Sequence, residues 1–352
     1  MMSLRFSPRF WAGLCFIASG TASVSFQTLW VHAGISRFGI IMPVISVILS
    51  VFMLGLMIGT YAGAQLVCRV AWSAVLPLYI GVEIGIALLA LAVPRFFDFG
   101  YATLLDAAAL DSSAFLYRSS VIIALSLLPV CVVIGMTFPL MLRALEPLRS
   151  EGTNFSFLYF ANLIGAIAGC LWPLLAIELY GGHVTLVLTG LFNALAAAGA
   201  GALLFTAFGT ELASVVQPEN AGTGQGGLTG RVKLFLFITG FVALGSEPIW
   251  VKTFTGVIGT SVYSFAIVIG IYLIANAMGN RHYLEGRRSI PMIALPFAAI
   301  LPIAIGSSAG LDLFGPLALL SIAPLCFLFG YFTPQIIDAV SRDRPDLAMR
   351  AY

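Results

Sequence analysis

Charge is scarce in this sequence. Asp, Glu, Lys and Arg make up 9% of its 352 residues, against roughly a quarter in an ordinary soluble domain. A water-soluble core of this size needs more polar surface than that, so an aqueous globular protein is excluded. The net charge is only +2 and no Lys/Arg-rich stripe occurs, which removes nucleic acid as a partner. Disulfide and metal motifs are lacking too. The five cysteines (Cys15, Cys68, Cys131, Cys170 and Cys326) are scattered through apolar runs without a CxxC pair. They read as small buried hydrophobes. The three histidines are equally dispersed, and neither a metal nor any other cofactor is expected. No nucleophile–His–acid set, HExxH or phosphate loop appears. The run GTGQGG at Gly222–Gly227 follows no strand and reads as linker.

What the chain has in abundance is apolar length: 60% of its residues are hydrophobic. A helix needs about 20 apolar residues to cross the hydrocarbon of a bilayer. Ten segments approach that length, near Phe10–Val31, Ile40–Val67, Ala74–Leu91, Ser119–Leu142, Ser156–Leu179, His183–Phe208, Leu234–Val251, Ser261–Met278, Ser289–Ile305 and Pro316–Val340. The fold class expected is an all-α polytopic membrane protein embedded in the lipid bilayer. Arg5 and Arg9 precede the first segment as in a secretory signal, but no small-residue cleavage site follows. It reads as a retained transmembrane helix.

Alternating the loops places thirteen Lys and Arg residues on one side and four (Arg37, Arg95, Arg118 and Lys252) on the other. The richer side, which holds both chain ends, is expected to be cytoplasmic. Two longer polar stretches interrupt the pattern. Arg95–Arg118 mixes Phe96, Phe97, Leu104, Leu105 and Leu110 with acidic residues and suggests an amphipathic segment lying on the outer surface. Residues 209–231, rich in Gly, Thr and Ala, read as a cytoplasmic linker. They divide a first repeat of six helices (1–208) from a second of four helices plus a tail (232–352).

The two halves repeat one another. A shift of 220 residues brings Gly20 onto Gly240, Trp30 onto Trp250, Val31 onto Val251, Gly39 onto Gly259 and Gly59 onto Gly279. A shift of 195 superposes P-x-C-x3-G-x3-P: Pro129, Cys131, Gly135 and Pro139 fall on Pro324, Cys326, Gly330 and Pro334. Six spans in the first half start the second on the same side of the membrane. The repeats are therefore parallel, the arrangement of the major facilitator architecture. The second half ends at Tyr352, near the equivalent of Tyr159, so a twelve-helix plan would be two helices short. The expectation is either a fragment or a protein completed by another chain.

Five runs carry a family resemblance: GTASVSFQTLWVHAGISRFG, VFMLGLMIG, IGMTFPLML, FLYFANLIGAIAG and, in the second half, GFVALGSEPIWVKTFTGVIGTSVYSFA. Over nearly the whole chain they resemble the membrane domain of bacterial spermidine synthase-like proteins. In that family a transporter-like membrane region precedes a soluble aminopropyltransferase-like domain. The resemblance implies the bacterial inner membrane, a polyamine-related solute, and a soluble aminopropyltransferase-like partner or other membrane subunits. It departs in two ways. No segment of the S-adenosylmethionine-binding type is present, so this chain alone is not expected to be an aminopropyltransferase. Gln27 also stands where the family pattern and the second repeat (Glu247) have an acid.

An ionisable group inside a span is costly and marks a functional candidate. Glu83 in the third span and Glu247 in the seventh are the best cases. Glu247 precedes Pro248, which frees a carbonyl one turn earlier. A carboxylate beside loosened carbonyls suits an ammonium group or a proton. The bland alternative is pairing with a neighbouring helix or a seat near the interface. Asn162, Asn193 and Asn276 read chiefly as interhelical glue, with Asn162 inside the FANLIG run. Gly55, Gly59 and Gly63, and Gly165-x3-Gly169, form close-packing faces. Trp30 and Trp250 fall at the outer ends of equivalent helices. They read first as headgroup anchors and second as solute-stacking rings. The substrate-binding candidates are thus Glu83, Glu247, Gln27, Asn162, Asn276, Trp30 and Trp250. Three functional classes follow: a transporter-like protein for a small, cationic solute; a non-catalytic membrane subunit of a spermidine synthase-like enzyme; and a structural subunit of a larger membrane complex.

Overall fold

The computed structural model describes residues 7–39, 42–105, 112–146, 154–206, 230–258, 262–287, 289–307, 311 and 313–343. Among them every regular element is a helix. In order these are α1 (Pro8–Phe38), α2 (Met42–Val67), α3 (Val75–Leu105), α4 (Ser112–Ala144), α5 (Asn154–Thr206), α6 (Gly230–Ile258), α7 (Val262–Leu284), α8 (Ala294–Ile305) and α9 (Ala323–Asp343). Short 3-10 turns at Trp72–Ala74 and Gly315–Ile322 lead into α3 and α9. The backbone has no alternative in hydrocarbon, where each unpaired amide costs several kcal/mol and only a helix satisfies its own.

Local chemistry sets the ends. Ser7 caps α1, its Oγ accepting from the Phe10 amide at 3.3 Å, with Pro8 opening the first turn. Hydroxyls inside α1 return to their own helix: Thr21 donates to the Ile17 carbonyl at 2.7 Å and Thr28 to Val24 at 3.1 Å. At 53 residues α5 is too long for one crossing. Gly181, at φ 77° and ψ 164°, breaks it into two arms, a conformation that a Cβ would oppose.

Among the described residues, seven helical stretches are long and apolar enough to cross a membrane: 8–38, 43–67, 72–103, 113–144, 155–205, 234–254 and 315–339. They contain eight of the ten expected segments, since α5 holds two. The remaining two are α7, interrupted toward its end by Asn276, Asn280 and Arg281, and α8. At 12 residues α8 rises only about 18 Å, less than the hydrocarbon thickness. Residues 289–293 ahead of it are not helical, so the expected ninth span is not a full-length helix.

The described parts of the Arg95–Arg118 stretch, 95–105 and 112–118, belong to α3 and α4 and not to a separate surface segment; residues 106–111 lie outside the described residues. Pro94 is absorbed into α3, which continues to Leu105, and α4 has begun by Ser112. Burial explains the extension. Phe97 is fully enclosed and packs edge-on against Phe38 at 5.6 Å, with Tyr101 at 6.1 Å from the same ring. Arg37 pairs with Asp98 at 2.5 Å above them. The expected linker falls mainly outside the described residues, and α6 starts at Gly230.

Glycines decide how the helices cross. A Cβ added at Gly59 would collide with the Val132 carbonyl, and one at Gly135 with the Leu56 carbonyl. Backbones of α2 and α4 therefore touch, as small-residue faces allow. Between α7 and α9 the same happens: Gly279 abuts the Phe327 carbonyl and Gly330 the Asn276 carbonyl. All four second-half positions are those that the two sequence shifts assign to Gly59, Val132, Gly135 and Leu56. A third crossing joins α1 to the first arm of α5. Gly165 and Gly169 lie on the Ile17 and Thr21 carbonyls, and Ser25 Oγ donates to the Gly169 carbonyl at 3.1 Å.

Candidate functional site

Glu83 lies at the contact of three helices and has no solvent exposure. Its neighbours come from α3 itself, from α1 and from the second arm of α5. Asn193 Nδ2 donates to Glu83 Oε2 at 2.7 Å. Tyr79, one turn earlier on the face of α3 that carries Glu83, and Ser19 of α1 both interact with the carboxylate, and Cys15 lies within its field. Helical spacing dictates this: Tyr79 and Glu83 are four apart, as are Cys15 and Ser19. The Tyr79 ring stacks on Phe16 at 6.5 Å. Trp172 of the first α5 arm donates to Thr189 Oγ1 at 3.1 Å, one turn before Asn193, and so ties the two arms together.

The cluster is incompletely satisfied. Glu83 Oε1, Asn193 Oδ1 and the Tyr79 hydroxyl are buried without a hydrogen-bond partner of normal geometry. Among the described residues no Lys, Arg or His pairs with the carboxylate. An unpaired carboxylate inside a membrane protein is balanced by a proton, a bound cation or donors on a ligand. The arrangement therefore suits a proton or an ammonium-like group.

The seven sequence candidates do not converge on one site. Glu247, 6% exposed, sits on α6 within electrostatic reach of Cys170 on α5 and Cys326 on α9. No described cation accompanies it. Asn276 of α7 accepts from the Tyr159 hydroxyl at 2.9 Å, which is an interhelical tie. Asn162 faces α1, its carbonyl oxygen 2.5 Å from where a Cβ on Gly20 would stand. Gln27 is buried with Nε2 unpartnered, and Trp30, one turn on, is buried with its indole N–H unpartnered.

The headgroup-anchor reading of both tryptophans is corrected. Trp30 is 0% exposed and stacks on Phe26 at 5.6 Å, while Trp250 is 5% exposed and packs against Tyr272.

Three participants escaped the sequence reading. Ser19 and Cys15 carry no motif, and only tertiary packing brings them to Glu83. Tyr79 was detectable in principle, because it stands four residues before the acid. Asp338 is a further buried acid, 1% exposed, on α9. It accepts from Ser156 Oγ, while Asn280 Nδ2 donates to the Ser156 carbonyl at 2.9 Å. That knot joins α5, α7 and α9. Its sequence signal was an Asp inside the apolar Pro316–Val340 run.

Among the described residues no group of three or more His, Cys, Asp or Glu is placed to hold a metal ion. Compared with known proteins, the chain matches no family model and no curated protein. What sequence and fold establish is an apolar chain whose described residues are helical, with seven helices among them long and apolar enough to span a membrane.

Proposed function

We propose that this chain is a transporter-like membrane protein that holds the cationic group of a small organic solute, or a proton, at Glu83. One observation carries the reading. Glu83 Oε1, Asn193 Oδ1 and the Tyr79 hydroxyl are all buried at one helix junction without a hydrogen-bond partner of normal geometry, and no described cation balances the carboxylate. A polyamine fits the chemistry because a protonated amine supplies several donors at once, and the family resemblance points the same way. The ten-segment pattern and the repeated glycine crossings support a duplicated, major facilitator-like plan. The thirteen-to-four distribution of Lys and Arg supports both ends being cytoplasmic, and the family resemblance implies the bacterial inner membrane.

The test is binding of radiolabelled spermidine, and separately proton release on amine addition, with the chain in lipid nanodiscs. Saturable binding lost in Glu83→Gln and retained in Glu247→Gln is expected. Absence of both signals from the unaltered chain removes the proposal. A second reading, a non-catalytic membrane subunit for a spermidine synthase-like enzyme, is favoured by the exposed face of α6. Co-elution with a soluble aminopropyltransferase-like protein at fixed stoichiometry would support it.

A further inference from the structure

Three acids are buried among the described residues, and they are held differently. Glu83 receives the Asn193 amide and Asp338 the Ser156 hydroxyl. Glu247, 6% exposed on α6, makes no hydrogen bond or ion pair with any described residue. The helix turns it inward, while Phe237 and Phe241, 69% and 70% exposed, lie on the outer side of α6.

The titratable groups that face it are two thiols, Cys170 of α5 and Cys326 of α9. The Cys170 thiol donates to the Ala266 carbonyl of α7 at 3.4 Å, and the Tyr272 ring of α7 lies against Trp250, one turn beyond Glu247. Helix α2 and the turn at Gly315–Ile322, which also pack on α6, contain no charged residue. Helix α7 carries its charges, Arg281 and His282, in its last turn, and Lys252 of α6 is exposed. This setting excludes most occupants of an unpaired carboxylate. A hard metal ion needs several oxygen ligands at once, and an ammonium group needs several acceptors for its N–H bonds. A proton needs one carboxylate oxygen. Pro248 then favours the neutral acid, because it has no N–H for the Leu244 carbonyl. That acceptor, without its helical donor, stands one turn before Glu247, where a carboxyl O–H can use it and a carboxylate cannot.

We infer that Glu247 is a proton-exchanging carboxyl, a site separate from Glu83 that takes up and releases a proton at the junction of α6 with α5 and α9. The shift of 220 that lays α6 on α1 puts Gln27 at this position and Trp30 at that of Trp250. Gln27 is 3% exposed, so the uncharged isostere is accommodated at the duplicate position. The acid adds one property to that isostere, a proton that it can lose. On release the O–H bond breaks, its electron pair stays on the carboxylate and the proton passes to water; uptake is the reverse. This site goes beyond the solute reading and stands whether or not Glu83 binds an amine.

The experiment is infrared difference spectroscopy on the full chain in lipid nanodiscs as pH is cycled between neutral and alkaline. The C=O stretch of a protonated carboxyl is read in the unaltered chain, in Glu247→Gln and in Glu83→Gln. A band present at neutral pH, lost reversibly on alkalinisation, missing from Glu247→Gln and retained in Glu83→Gln is expected. Glu247→Asp should keep the band at a shifted frequency, which a general disturbance of the fold would not produce. Exchange of potassium for sodium should leave it unchanged. A band that persists at every pH makes Glu247 a fixed neutral filler, and its absence at every pH makes it an ionised carboxylate. Loss of the band on adding sodium makes it a metal-ion site. Each of these outcomes overturns the inference. Absence of spermidine binding with this band intact would count against the solute reading at Glu83 and leave the proton site supported.

Discussion

Asn193 hands a side-chain N–H to Glu83 at 2.7 Å across 110 positions of sequence, and neither residue is exposed. This bond joins the second arm of α5 to α3 and orients one carboxylate oxygen, while the other has no hydrogen-bond partner of normal geometry. It makes the acid a positioned group, not a buried accident.

Removing the donor is expected to cost more than neutralising the acid. Asn193→Leu strips the carboxylate of its partner and should destabilise the protein by about 1–3 kcal/mol. Glu83→Gln keeps a hydrogen-bonding side chain and removes the charge, so its loss is smaller. Thermal unfolding in detergent gives the order of the two Tm values. The reverse order would mean that the Asn193 bond does not stabilise the acid.

The glycine crossings predict paired failures. Gly59→Leu forces α2 off the Val132 carbonyl, and Gly279→Leu forces α7 off the Phe327 carbonyl. Each is expected to cost about 1–3 kcal/mol or more, as overpacking does. Gly85→Leu, whose Cβ points into open space, should be near neutral. The fraction eluting as a monodisperse peak after extraction reports the effect. Normal yield from Gly59→Leu would remove the α2–α4 contact.

Ser156→Ala deletes the hydroxyl that reaches Asp338 between α5 and α9. A loss of roughly 0.5–2 kcal/mol is expected, the range of interhelical hydrogen bonds in membranes. Chemical denaturation in mixed micelles measures it. An unchanged midpoint would show that Asp338 is held by its other neighbours.

Beyond the end of α7, Glu285 pairs with Arg281 and Arg287, each at 2.6 Å. The hydrogen bond from Arg281, followed by the positive charge of both arginines, holds its carboxyl below the ordinary 4.5. A depressed acid contributes stability above its unfolded pKa and loses it as pH falls through the folded value. The contact should therefore persist at neutral pH and dissolve only below the usual carboxylate range. Because the pair lies at the surface, the effect on overall stability is small. A carboxyl NMR titration checks it, and Arg281→Gln should raise the midpoint; a midpoint that stays put would discard the pairing.

Much of the framework was legible because the bilayer is a strict solvent. Apolar runs marked where helices form, and glycines at spacings of four marked the faces on which α2 and α4, or α1 and α5, touch. Glu83 and Glu247 stood out because an acid in an apolar run is rare. Lengths were less legible. Arg95–Arg118 read as a surface segment because its composition is amphipathic, yet Phe97 and Tyr101 find Phe38 and carry the helix onward. The tryptophans misled for a related reason: position along a helix says nothing of which way the ring faces.

By itself, the sequence determined that this protein is helical and built for a membrane, since apolar length is a property of a line. Only tertiary structure decided which groups meet. Ser19, Tyr79, Glu83 and Asn193 come from three helices, and their meeting depends on how α1, α3 and the second arm of α5 pack around the break at Gly181. Packing also separated Glu83 from Glu247, and buried α1 while leaving the equivalent face of α6 open. Those are consequences of neighbours, and a helix carries no record of its neighbours in its own periodicity.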